Sequence, residues 1–307
     1  MNIPDRAALL EHLQTARIAG EVATPRENNL LHYRLLADRD PYYLLGLDPS
    51  VGWTPASVLR LMAERVGVNA DPRHRVGIDT IDPELTVAAL DRYADRLAGA
   101  ALRRETVLFA TGHPGNLTPL YQSFADALRA RGCPILHAGE GWGYDASTKF
   151  GPKRLTIAYR GSSGAPGQPS ATGTATAATP GSTAAATTAT ATATGGDVAV
   201  LEDAAGPVHS HAARPIRATF AALAADRRPL PDLVVADHGW CGGAAQAGAD
   251  AIGFADCNDP ALFVGEHEGV VRVAVPLDDG LAPAAYAPLG AYVLARLDAL
   301  AEPVAGS

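Results

Sequence analysis

The sequence predicts an α/β protein, a mostly parallel sheet flanked by helices, with a helical N-terminal layer. Three observations carry that expectation. Apolar positions in roughly the first hundred residues repeat at helical spacing. From Glu105 onward, short unbroken apolar runs alternate with helical patterns. Polar or glycine-rich clusters follow several of those runs directly.

The N-terminal region, residues 1–103, reads as helix after helix. Ala8, Leu9, Leu13 and Ala16 share one face, as do Leu30, Leu31, Leu35 and Leu36. Thr54-Pro55 and Asp82-Pro83-Glu84 are helix starts, each with a capping side chain followed by proline at the first helical position. The α/β domain then covers residues 104–160 and 197–302. Its strand candidates are Val107–Ala110, Pro134–Leu136, Val198–Leu201, Leu233–Ala236, Ala251–Phe254 and Val270–Val275. Helices are expected at Leu117–Ala130, Ile216–Ala225, around Ala244–Ala247 and at Ala284–Leu300. Residues 161–196 interrupt the domain with Ala, Thr, Gly, Ser, Pro and a single Gln, and read as a disordered Ala/Thr-rich loop, too poor in apolar surface to offset ordering.

Composition narrows the function classes. With 307 residues, 47% of them hydrophobic, the chain can bury one large core or two modest ones. A net charge of −8 and the absence of a basic cluster argue against a nucleic-acid partner. Cys133, Cys241 and Cys257 form no CxxC pair and suit a reducing compartment. Met1–Gln14 is amphipathic rather than a signal peptide, and no stretch has the apolar length of a membrane span. A cytoplasmic location without membrane partners is expected, and nothing in the sequence specifies an oligomeric state.

In open parallel sheets ligands collect beyond the carboxyl ends of the strands, so the residues after each apolar run matter most. After Ala110 come Thr111, Gly112, His113, Pro114, Gly115 and Asn116, a turn into a helix that could cradle a phosphate, with His113 as donor or acid. After Ala236 come Asp237 and His238, suited to holding a divalent cation or to acting as base and orienting partner. After Ala255 come Asp256, Cys257, Asn258 and Asp259; Asp256 and Asn258 are read as oxygen ligands for a hard cation such as Mg2+, and Asp259 as a helix cap. Cys257 lacks the CxxxxxR phosphate loop of a cysteine nucleophile. His209-Ser210-His211 has the His-x-His spacing of metal sites, a spacing common by chance, and is not assigned to the site. Arg26, in Thr24-Pro25-Arg26-Glu27-Asn28-Asn29, could reach an anion, or could simply lie in a capped helix start.

Three long segments resemble a bacterial, actinobacterial-type phosphatase family: Ala19–Asn29, Phe109–Gly115, and Val235–Trp240 running on to Ala255–Phe263. The likeness spans roughly residues 1–150 and 197–298. It implies phosphoester hydrolysis. Combined with the residues, it gives as expectation a phosphatase acting on a small phosphorylated metabolite with Mg2+ or another divalent cation. Asp237, Asp256 and Asn258 would hold the cation, and His113 and His238 would be catalytic. Thr111, Gly112, Gly115, Asn116 and Arg26 would contact the phosphate. A sugar-phosphate isomerase or lyase using the same groups, or a non-catalytic phosphometabolite-binding protein, are the alternatives.

Overall fold

The computed structural model describes residues 4–148, 151–161 and 195–301. The expected disordered loop therefore falls, all but its ends, outside the described residues. In chain order the elements are α1 (Arg6–Thr15), β1 (Gly20–Pro25), α2 (Arg26–Ala37), α3 (Pro55–Arg65), β2 (Ile78–Ile81), α4 (Pro83–Arg103), β3 (Val107–Ala110), α5 (Thr118–Ala130), β4 (Gly143–Thr148), β5 (Gly151–Arg160), β6 (Val198–Asp203), β7 (Gly206–Pro207), α6 (Arg214–Ala225), β8 (Leu233–Val235), α7 (His238–Gln246), β9 (Ala251–Ala255), α8 (Pro260–His267), β10 (Val273–Pro276) and α9 (Ala287–Ala301).

The main sheet runs β10-β9-β8-β3-β6-β5-β4, with β7 on β6. Strands β10, β9, β8, β3 and β6 are parallel, and β5 and β4 add an antiparallel edge. The expected α/β class holds. The parallel strands are apolar throughout because both faces are covered: β3, β8, β9 and β10 are buried along their whole length.

Chain order and strand order diverge at β3. From β3 the chain crosses to the edge strand β4, returns inward through β5 to β6 beside β3, and then passes to β3's other side to continue through β8, β9 and β10. That reversal is a topological switch point, where the connections leaving neighbouring strands part and open a crevice at the carboxyl edge.

Several expectations need correcting. Pro134–Leu136 is no strand; it makes one isolated bridge, Ile135 to Val107, before His137 to Gly141 turn away. The β4–β5 hairpin escaped the apolar-run test because Lys153 and Arg154 interrupt it at a partly exposed sheet edge. Helix α7 begins at His238, immediately after Asp237, earlier than its apolar residues suggest. The N-terminal region is mainly helical but also forms a small antiparallel pair, β1 with β2. Asp82 and Thr54 do cap their helices, accepting from Glu84 N and Ser57 N.

The N-terminal helices share the core of the sheet. Buried apolar residues form one connected cluster from Leu9 to Leu297. The Thr86 hydroxyl of α4 donates to Pro276 O at 2.8 Å, and Asp278 N donates to Ile18 O at 2.8 Å. The first and last parts of the chain meet beside β10.

Candidate functional site

Five strand exits converge at the carboxyl edge. The turn after β3 carries Thr111 to Asn116, and the connection after β6 and β7 carries His209 to His211. Asp237 and His238 follow β8, Asp256 to Asp259 follow β9, and Asp278 and Asp279 follow β10. Ser210 N donates to Gly112 O at 3.0 Å, stitching the first two exits together. Gly112 permits this approach, because a Cβ there would lie 2.5 Å from Ser210 O and 2.8 Å from His238 Nδ1.

Asp237 is the hub. Fully buried, its carboxylate accepts from Gly112 N at 3.1 and 3.2 Å and lies 3.3 Å from His113 Nδ1 and 3.1 Å from His238 Nδ1. Burial alone would raise its pKa, but the two imidazoles hold it far below the usual carboxylate range. His238 Nε2 sits 3.0 Å from Asp259 Oδ2. Burial opposes charge on His238, yet Asp259, Asp237 and Asp279 together raise its pKa well above the usual value. Its backbone φ of +46° lies in the left-handed region, a conformation that costs a non-glycine residue about 1–2 kcal/mol and is frequent at functional sites.

Four imidazoles pack face against face or edge. His211 lies 4.2 Å from His238, and His113 lies 4.4 Å from both His238 and His209, centroid to centroid. Tyr42 stacks on His211 at 4.7 Å and 7°. Burial draws His209 down to about 4 and His211 down to about 3, with neighbouring histidines adding to the shift, so both rings are neutral at neutral pH. Two triads bring ligand atoms within 4.8 Å of one another: His113, His209 and His238, and His211, His238 and Asp259. Among the described residues the buried His211 Nδ1 and Asp279 Oδ2 make no hydrogen bond, with Asp279 Oδ2 3.4 Å from His113 Nδ1 and His211 Nδ1 4.0 Å from Asp259 Oδ1. Orphaned donors or acceptors of that kind are rare in dry interiors, and here they border a donor set suited to a metal ion.

The predicted residues divide between this cluster and its supports. Asp237, His238 and His113 stand at its centre. Asp256 is buried behind it, accepting from Thr24 Oγ1 at 2.5 Å and Cys257 N at 2.6 Å. Burial raises the Asp256 carboxyl well above the usual range, Asp279 adds to this, and the Thr24 hydrogen bond opposes it. The backbone carbonyl of Asn258 lies 2.7 Å from His32 Nδ1, which anchors this part of the loop to α2. Arg26 lies outside the site: fully buried, it is occupied by Asp79 Oδ2 at 2.8 Å and the carbonyls of His74 and Asp71.

The turn after β3 has little left to offer a phosphate. Gly112 N binds Asp237, His113 N donates to Thr111 Oγ1 at 2.9 Å, and Asn116 N and Leu117 N both return to His113 O. The Asn116 side chain donates to Leu281 O at 2.7 Å. Of the predicted cradle, Gly115 alone faces open space. Helix α5 starts only at Thr118, so its amino end is displaced from this turn.

Sequence reasoning missed His209, His211, Asp259 and Asp279. Asp259 occupies the cap position of α8 but makes no capping bond, because its carboxylate turns to His238. The His-x-His spacing of His209 and His211 recurs by chance, and they follow the short antiparallel β7 rather than an apolar parallel strand. Asp278-Asp279 follows the last strand directly, and the strand-end rule applied there finds it.

A family model described as Phosphatase matches residues 4–166 and 163–301. The chain belongs to this family. The Phosphatase SCO2771 of Streptomyces coelicolor is 47% identical to it over 293 residues, covering 95% of each chain. The resemblance carried by the three segments is thereby confirmed, and an actinobacterial relative fits it. Among the described residues no helix is long and apolar enough to cross a membrane.

Proposed function

We propose that this member of the Phosphatase family hydrolyses a small phosphorylated metabolite with the help of a divalent cation. The observation that carries the reading is the meeting of neutral His209 and His211, His113, His238 and buried carboxylates at the switch point, with His211 Nδ1 making no hydrogen bond among the described residues. His211, His238 and Asp259 would hold the cation, which would displace the proton that Asp259 and Asp237 otherwise favour on His238. Imidazole-rich donors favour Zn2+ or a related late transition metal over Mg2+, which prefers oxygen. A cation there would stabilise charge on the phosphoryl oxygens and favour hydroxide at neutral pH.

The chain's own groups divide the remaining work. Asp237 accepts from His238 Nδ1, which turns Nε2 toward Asp259, the arrangement that orients metal-bound histidines. The same carboxylate faces His113 Nδ1 and leaves its Nε2 to serve as acid and base toward the reacting groups. The His113 side chain is 14% exposed, against 2% for His238, so His113 is the one that substrate can reach. In this reading Asp237 orients, while Asp256 and Asn258 support the loop from behind.

The test is phosphate release from a panel of phosphorylated metabolites, after chelation and after return of Mg2+, Mn2+ or Zn2+, with metal content measured in parallel. Turnover restored best by a transition metal is expected. Full activity in metal-stripped protein would overturn the cation, and conversion of a sugar phosphate without phosphate release would favour an isomerase or lyase.

A further inference from the structure

An acidic pocket is a poor receptor for a phosphate dianion. Asp237, Asp256, Asp259, Asp278 and Asp279 all crowd the carboxyl edge, and the turn after β3 has its N–H groups occupied, Gly115 apart. Arg26 is held by Asp79. Beyond the proposed cation, a cationic side chain with free donors is needed to recognise the anion.

Resting on the phosphatase reading above, we propose that Arg214 is that group, the residue that recognises the substrate's phosphate at the mouth of the site. Arg214 opens α6, three residues beyond His211. It is exposed and, among the described residues, makes no ion pair with any carboxylate. Its guanidinium is positioned by an aromatic ring instead, with the carbon centre 5.1 Å from the centroid of Tyr144. Tyr144 belongs to the edge strand β4, and only Ala212 and Ala213 separate Arg214 from His211. A cation held by a ring face keeps all its N–H donors free, which suits the planar fork of arginine to a phosphate. The amino end of α6 has no side-chain cap, so its dipole adds to the same positive field.

Calorimetric binding of inorganic phosphate to the metal-loaded protein tests this without requiring turnover. Arg214→Ala is expected to weaken phosphate binding about tenfold or more and to raise KM with kcat nearly unchanged, since truncating a charged hydrogen-bond donor removes roughly that much affinity. Arg214→Lys should recover part of the loss, and metal content should stay at the wild-type level. Wild-type phosphate affinity in Arg214→Ala, or no phosphate binding by the wild type, overturns the proposal. Weaker binding in a protein that hydrolyses no ester leaves Arg214 as an anion receptor and refutes the phosphatase reading instead.

Discussion

Arg26 and Asp237 show how the same surroundings give charged residues opposite tasks. Arg26 and Asp79 form an ion pair with both side chains fully buried, and Asn29 Nδ2 adds a bond to the same carboxylate at 2.9 Å. Asn29 also reaches Cys257 Sγ at 3.3 Å, so the pair props the loop that carries Asp256 to Asp259. Arg26→Met leaves Asp79 buried without its partner and is expected to cost about 3–5 kcal/mol in denaturant unfolding. Phosphate affinity of the folded fraction should be unchanged; a specific loss of phosphate binding would restore Arg26 to the site. Asp237→Asn is the converse. An amide oxygen can still accept from Gly112 N, so the fold should persist, while turnover falls by roughly a hundredfold or more as His113 and His238 lose their orienting charge.

Helix starts make the comparison at the scale of elements. Asp82, Asp237 and Asp259 each occupy a cap position, yet only Asp82 caps, accepting from Glu84 N at 2.8 Å. Asp82→Ala should cost about 1 kcal/mol of stability and leave turnover alone, as measured by thermal unfolding and phosphate release. Asp259→Asn should instead lower metal affinity and turnover, and it should also destabilise the metal-free protein, because buried His238 loses the carboxylate that holds its charge. Equal effects of the two changes on activity would contradict the assignment. This contrast also explains what the sequence could reveal. Aspartate followed by a helix looks alike in all three places, and only the partners brought by distant strands separate them. The apolar runs β3, β6, β8, β9 and β10 were legible because both faces of each strand are covered, which removes polar residues from the pattern. The β4–β5 hairpin and the β1–β2 pair lie where that pressure relaxes, so their charged and polar residues hid them. The site was half legible by the same logic. His113 and Asp237-His238 follow unbroken apolar runs, whereas His209 and His211 follow the two-residue β7, which offers no such run.

At the scale of the whole molecule, the two edges of the sheet have different work. At the amino edge of β6, Asp197 receives Gln122 Nε2 at 2.7 Å and His137 Nε2 at 3.1 Å and pairs with Arg129. Burial would raise its pKa, but Arg129, Gln122 and His137 prevail and lower it. A carboxylate lowered in the folded state stabilises above its unfolded value, near 3.9, and loses that contribution as pH falls through the folded value. Asp197→Asn should therefore be less stable at neutral pH by roughly 1–2 kcal/mol, allowing for the half-exposed Arg129, and the gap should narrow progressively as pH falls below about 4. A gap of the same size at about pH 3 would show that shape, not charge, matters there.

Strand β5 ends at Arg160, paired with Val198 at the start of β6. Because β6 points toward the histidines, this junction leaves from the far side of the sheet. The two ends of the intervening segment, Arg160 and Val198, therefore sit side by side at the edge away from the histidines. The junction is thus a natural port for grafting. A fluorescent domain spliced in place of residues 162–194 should yield a working enzyme that carries its own reporter, with the chemistry untouched at the opposite pole.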